Sequence, residues 1–359
     1  MKMMKSRNVV LGCLMLFLAG GILGGCDKTV YYVSTDYGDD DNYTGLDGDH
    51  PFKTIQRAID AAQGTESVPV VIRVAAGTYD ENLVLDAWES LEGGWYNTFT
   101  QRWNFKKDGI VPADGFETII QAGADGYSCI NLDIGNAESV IDGTTLTETE
   151  GHGHSGVRIL NARSTVKNCI FKNLRYEGIT NGSSYQIIIK NCLFSSINGW
   201  GGIYNTANAN TIIENCNFTD NHTDGGIYIK SSYLTTITNC VFSGNRGADI
   251  GGAITIYGNS AATITDCIFS GNWINGSGGN DGGGAIENWS SSVVINKCIF
   301  SGNSIHQGGK GGAISNSNCS PIISNCVFSD NSGGSYIGGG AICNTSSSPD
   351  LVTNKCIII

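Results

Sequence analysis

A cysteine recurs through the second half of the chain at positions 169, 192, 216, 240, 267, 298, 326 and 356, at intervals of 23 to 31 residues. A phenylalanine stands two residues after every copy except the last, where Ile358 takes its place. Three residues before the cysteine of each full copy lies an aliphatic: Val166, Ile189, Ile213, Ile237, Ile264, Ile295 or Ile323. Repetition of one short unit at this period is the signature of an array, in which a unit buries its apolar side only by stacking on its neighbours.

The spacing carries geometry. Residues two apart share one face of a strand, so Cys and Phe point the same way; residues three apart cannot, so the chain must turn between the aliphatic and the Cys. The residue at that turn is Asn168, Asn191, Asn215, Asn239 or Asn325, with Asp266 and Lys297 as variants, and Asn and Asp tolerate the left-handed conformation of a one-residue corner. A second Asn, at 221, 245, 272, 303 and 331, is expected to mark the next corner. Short strands joined by sharp corners predict an all-β fold, a right-handed parallel β-helix solenoid over residues 116–359, with interior ladders of Ile, Cys and Phe about 4.8 Å apart. A β-sandwich would not demand the same residue type at the same corner in every unit.

Residues 26–115 form a different unit, an N-terminal cap containing one short α-helix. Tyr31–Ser34 and Val70–Val74 read as strands, Gly77–Tyr79 as a turn into Leu83–Leu85, and Phe52, Ile55, Ile59 and Ala62 fall at helical spacing. A solenoid has an apolar end that needs covering, which suits an amphipathic helix used as a lid. The segment resembles the cap of bacterial β-helix proteins of the pectin-lyase-like type, which implies fold and not activity. Between the first strand and the helix lies an acidic loop with Asp36, Asp39, Asp40, Asp41, Asp47 and Asp49. Closely spaced carboxylates suit calcium, with Asp39, Asp41, Asp47 and Asp49 as candidate ligands; the alternative is a solvated loop, and the spacing matches no EF-hand or nonapeptide motif.

Residues 1–25 place Lys2, Lys5 and Arg7 before an apolar run from Val9 to Leu18, too short to span a bilayer as a permanent helix. This reads as a signal peptide. Its end, Leu23-Gly24-Gly25-Cys26, resembles the lipobox of bacterial lipoproteins. The resemblance implies acylation of Cys26 and a membrane partner through that anchor, in the bacterial cell envelope, at the outer membrane or cell surface. Ordinary secretion with an incidental cysteine is the alternative. Asp27 resembles the inner-membrane retention signal of some lipoproteins, so the sequence leaves open which membrane holds the anchor.

The chain carries a net charge of −12, and residues 168–359 account for only −2 of it, with ten acids and eight bases. Neither region has a basic stripe, which argues against nucleic acid as a partner. Of thirteen cysteines, eight are ladder members that point the same way from adjacent coils; parallel side-chain vectors bridge poorly, so reduced thiols are expected. Cys129, Cys319 and Cys343 lie outside the ladder.

Phe-x-x-Asn segments at 242, 269, 300 and 328 alternate with Gly-Gly-Ala-Ile at 251, 283, 311 and 339. The alternation resembles the passenger repeats of chlamydial-type polymorphic outer-membrane proteins, which implies a surface role in adhesion, although the lipobox departs from that family. Many right-handed β-helices instead cleave acidic polysaccharides, using clustered carboxylates or a calcium-assisted base. The outward column before the corner reads Lys167, Lys190, Glu214, Thr238, Thr265, Asn296 and Ser324, so no paired acids appear and no catalytic residue is assigned. Gly151-His152-Gly153-His154 resembles the Gly-His-Gly of polygalacturonases, but the other motifs of that family do not occur in order. A polysaccharide lyase or glycoside hydrolase remains the alternative to a non-catalytic binder.

In Ile203-Tyr204 and Ile227-Tyr228 the Ile faces in, so the tyrosines should stack on the outside. With Trp200, Trp273 and Trp289 beside the Gly-rich loops they suit a glycan or a protein ligand, or else a ladder that only stabilises the sheet. Residues between Cys and Phe should also face out. They are Ile170, Leu193, Val241, Ile268, Ile299 and Val327, broken by Asn217, an apolar column that calls for cover by a loop, a second chain or a partner. Self-association through this column or through the end of the last coil is expected. The last copy, ending Cys356-Ile357-Ile358-Ile359, lacks the corner Asn and a polar cover, which suits a truncated reading frame, end-to-end association or a frayed coil.

Overall fold

The computed structural model describes residues 28–122, 128–148, 153, 155–206, 210–232, 234–248, 250–275, 282–306, 310–334, 339–345 and 352–359. Each regular coil contributes three strands, as in Ile227–Lys230, Leu234–Thr238 and Val241–Ser243. The first two join a 20-stranded sheet and the third an 11-stranded sheet. Successive coils pair in parallel with like residues opposite: Ile237 with Ile264, Ile264 with Ile295, Phe242 with Phe269 and Phe269 with Phe300. The molecule is a right-handed parallel β-helix.

The corner between the second and third strands is the one the spacing predicts. Asn168, Asn191, Asn215, Asn239, Asp266, Lys297, Asn325 and Lys355 all have φ between 52° and 56°. Directly inside each corner sits the ladder thiol, whose S–H donates to the carbonyl two residues earlier: Cys267 Sγ to Thr265 O at 3.2 Å and Cys326 Sγ to Ser324 O at 3.1 Å. The ladder cysteines 169 to 326 are buried, and no disulfide links the described cysteines. The phenylalanines beside them stack nearly coplanar, with ring centroids 4.6 to 4.8 Å apart from Phe171 to Phe328.

The second corner differs from the expectation. Its left-handed residue is the one before the Asn: Asp220, Gly244, Gly271, Gly302 or Asp330. The Asn itself turns inward and forms a hydrogen-bonded ladder, Asn221 Nδ2 to Asn245 Oδ1 at 2.8 Å, Asn245 to Asn272 at 2.9 Å and Asn272 to Asn303 at 3.0 Å. Each amide also donates to a phenylalanine carbonyl of the preceding coil, as Asn272 does to Phe242 O at 3.0 Å. A buried amide is tolerated only when its donors and acceptors are met, and identical stacked amides meet one another.

The strands begin within the acidic N-terminal segment. Thr29–Val33 pairs with Val70–Ala75, which pairs with Glu89–Trp95 in the long sheet. Gly77–Tyr79, expected as a turn, lies in the strand Gly77–Asp80 of the short sheet, paired with Thr118–Ala122; Tyr79 is buried in it and donates to Ala75 O at 3.1 Å. The helix Ile55–Ala61 packs its buried Ile55, Ala58 and Ile59 against strands Thr29–Val33, Val70–Ala75 and Leu83–Val84. Thr54 caps its N-terminus, and the Glu81 carboxylate accepts the Ile55 and Gln56 amides at 2.9 and 2.8 Å, an anion where the helix presents unpaired N–H groups.

Candidate functional site

The outer face of the long sheet carries the aromatic residues. Tyr204 pairs in register with Tyr228, and with their Ile neighbours inside, both rings stand outward with centroids 5.4 Å apart. Trp200, 48% exposed, packs edge-on against both, at 5.1 Å from Tyr204 and 5.9 Å from Tyr228. One coil further the column passes to Thr255, Glu287 and Ser315, which are buried. The Gly-rich segment of one coil crosses there: Gly282 lies against the Glu287 side chain and Gly283 against the Ser315 amide. That crossing is why the Gly-Gly motif is glycine, since a Cβ on Gly284 would collide with the Gly312 carbonyl.

The aromatic line continues two residues along the strand. Lys230 pairs with Tyr257 and Tyr257 with Trp289; Tyr257 and Trp289 meet edge-on at 4.8 Å. Tyr257 is therefore the diagonal neighbour of Tyr228, about 8 Å away on the sheet lattice. Five rings, Trp200, Tyr204, Tyr228, Tyr257 and Trp289, thus run obliquely across the coils. Burial, then the carboxylates of Glu177 and Asp224, raise the Tyr204 phenol above its usual pKa. The Tyr228 phenol is also raised, by burial first and then by Tyr204, Asp224 and Tyr257. The sequence offered Trp200, Tyr204, Tyr228 and Trp289 but missed Tyr257, Glu177 and Asp224.

Trp273 does not join this line. It lies on a separate three-stranded sheet of Arg246–Gly247, Trp273–Ile274 and Ser304–Ile305. His306 stacks on it at 4.5 Å and the Arg246 guanidinium sits 4.8 Å from its ring centre.

Two carboxylates of the acidic loop turn onto its own backbone. Asp39 accepts the Asp41 and Asn42 amides, both at 2.9 Å; Asp47 accepts those of Asp49 and His50 at 3.0 and 2.8 Å. Asp40 binds the Lys53 and Thr54 amides and so fixes the entry to the helix. Among the described residues no group of three or more His, Cys, Asp or Glu is placed to hold a metal. Of the candidate ligands Asp39, Asp41, Asp47 and Asp49, Asp39 and Asp47 each turn Oδ1 onto two amides of their own turns.

A groove of about 680 Å³ is lined by Arg102, Trp103, Phe105, Asp142, Lys167 and three corner asparagines, Asn168, Asn191 and Asn215. At its base the nearly buried Asp142 carboxylate holds Arg102 at 3.0 Å, Lys167 at 3.2 Å and Asn168 Nδ2 at 2.7 Å. The cations answer one carboxylate, so the arrangement reads as a clamp between the 95–109 loop and the first coils. Cys26, His152 and His154 lie outside the described residues.

Residues 128–296 match the family described as "Right handed beta helix region". No curated protein matches the chain. Among solved structures, the pectin methylesterase of Aspergillus niger aligns at 12% identity and TM-score 0.39, over 92% of this chain and 85% of that one. A tailspike protein of an Acinetobacter baumannii bacteriophage, described as a capsular polysaccharide depolymerase, aligns at 11% and 0.35, over 89% of this chain and 62% of that one. A surface adhesin of Streptococcus pneumoniae aligns at 14% and 0.35, over 79% and 87%. The chain is a right-handed parallel β-helix repeat protein.

Proposed function

We propose that this β-helix is a non-catalytic lipoprotein of the bacterial cell envelope, acylated at Cys26, that binds glycan along its oblique line of aromatic rings. The observation that carries the reading is the cluster of exposed Trp200 with half-buried Tyr204 and Tyr228, continued by half-buried Tyr257 and exposed Trp289. The ring centroids lie 4.8 to 5.9 Å apart within the two groups and about 8 Å apart between Tyr228 and Tyr257, an amphipathic track along which successive sugars of a chain can rest. The alternation of Phe-x-x-Asn with Gly-Gly-Ala-Ile, similar to chlamydial-type polymorphic outer-membrane repeats, supports a surface role.

A glycan array should identify an oligosaccharide, and Trp200→Ala or Tyr228→Ala should weaken its binding about tenfold, as for truncation of a central aromatic anchor. Unchanged affinity in both variants removes the reading. A second reading, a glycoside hydrolase or lyase, draws on Glu177 and Asp224, which flank the same rings. A reducing-sugar assay on the bound oligosaccharide, polygalacturonate and alginate separates the two: release of sugar that disappears in Glu177→Gln would make it an enzyme. Membrane fractionation of Cys26→Ala tests the anchor; an unchanged fraction in the membrane would sink it.

A further inference from the structure

The outer face of the short sheet is a patch with a hidden two-fold symmetry. Strands Val241–Ser243, Ile268–Ser270, Ile299–Ser301 and Val327–Ser329 lie side by side in register. Their outward columns read Val, Ile, Ile, Val and Ser, Ser, Ser, Ser, and the exposed corner column beside them reads Asn239, Asp266, Lys297 and Asn325. Reversing the order of the coils maps each apolar residue onto its own kind and each corner Asn onto an Asn. It maps Asp266 onto Lys297.

Ile268 and Ile299, at the centre, are 41% and 43% exposed. Nothing in the described part of this chain covers them, whereas further up the same face Thr145 and Ile170 are buried. There Glu117 reaches over the sheet to Thr145 at 3.0 Å and to Lys172 at 2.9 Å.

We infer that this patch is an isologous contact with a second copy of the chain, related by a two-fold axis that runs along the strands between Ile268 and Ile299. A rotation about that axis turns the second patch face down and reverses its coils while keeping the corner columns on the same side. Ile268 then meets Ile299 of the second copy, Val241 meets Val327, and Asp266 meets Lys297, twice over. A closed two-fold contact requires a self-complementary surface of this kind. The match ends one coil further out, where Asn217 would face Ile357. Four coils about 4.8 Å apart and three residues about 3.3 Å long give a patch on the order of 200 Å² per copy. A standard interface buries about 800 Å² per partner, so this contact is transient and depends on concentration.

The test traps it covalently. Two single variants, Ser243→Cys and Ser329→Cys, are mixed and treated with a bismaleimide that spans about 10 Å, the separation of packed sheets. The mixture should give a crosslinked dimer whose yield rises with protein concentration, while each variant alone gives at least fivefold less. Equal crosslinking of Ser243→Cys with itself would place the coils in the same order and overturn the proposal, as would the absence of dimer in the mixture up to millimolar protein. Adding Asp266→Lys to both members should lower the yield about tenfold, and adding Lys297→Asp as well should restore it. Both exchanged residues are ones that the corner already holds at φ of 54° to 55°, so failure of the double exchange to restore the yield counts against the ion pairs and not against the fold.

Discussion

The two outer faces of this β-helix differ in how much they are allowed to vary. On the short sheet a three-residue strand is held between two left-handed corners, so every coil presents the same two outward positions. The apolar and serine columns therefore stay regular from Val241 to Ser329. On the long sheet the coils are joined by segments of unequal length, and the outward column that carries Tyr204 and Tyr228 becomes buried at Thr255, Glu287 and Ser315, with Gly282 and Gly283 against the last two. The interior fixes the repeat, and variety enters only where chain length is free. Regularity suits a contact with another regular surface, and irregularity suits recognition of a ligand.

The sharpest break of this comparison sets adjacent residues against each other. Phe269 is fully buried between Phe242 and Phe300, with ring centroids at 4.8 and 4.7 Å, while its neighbour Ile268 faces out. Phe269→Ala should cost about 4 kcal/mol by urea denaturation, the usual loss for a buried aromatic. Ile268→Ser should change stability by no more than about 0.5 kcal/mol. Similar losses from both would mean that the strand has no distinct inner and outer face.

A second expectation contrasts the cap with the coils. Glu89 is fully buried, with Oε2 accepting the Asp86 amide at 3.2 Å and Oε1 without a hydrogen-bond partner. Burial, then the charges of Asp86 and Asp60, push its carboxyl up to about 7. A carboxyl whose pKa is raised on folding stabilises the protein below the unfolded pKa near 4.5, and that stability is lost as pH rises to about 7. The loss should reach about 3 kcal/mol. Glu89→Gln should lack this fall, so the difference in stability between the two proteins should grow from pH 4.5 to 7 and then level off. A difference independent of pH would show that Glu89 ionises freely in the folded state.

The coils were legible because one residue type fills one site many times. A lone Asn says little, but an Asn or its equivalent before each Cys fixes a corner. Where a column changes residue type the reading fails: Asn181 and Asn205 form a buried pair at 3.0 Å, and Asn288 and Asn316 another at 3.2 Å, with Ile229 and Ile256 between them in the same column. The clamp of Arg102, Asp142 and Lys167 was also hidden, since it joins a loop to two separate coils. In the acidic loop, spacing shows that carboxylates are near one another but not whether they face a common centre. Asp39 and Asp47 face their own turn amides.

Trp273 gives the smallest effect and the finest distinction. It is a tryptophan beside a Gly-rich loop, like Trp200 and Trp289, and sequence cannot tell the three apart. The extra residues of the longer coils place it on the small third sheet, stacked on His306 and faced by Arg246. Its ring is used by its neighbours. Trp273→Ala should therefore cost about 1 kcal/mol of stability, the scale of a stacking and cation–π contact, and leave glycan affinity within about twofold. Trp200→Ala should do the reverse, weakening the glycan about tenfold while moving stability little. Paired measurement of urea midpoint and glycan affinity on both variants decides it: if Trp273→Ala weakens the glycan as much as Trp200→Ala does, the ligand reaches over the loops onto the third sheet, and the oblique line of rings is only part of the surface it touches.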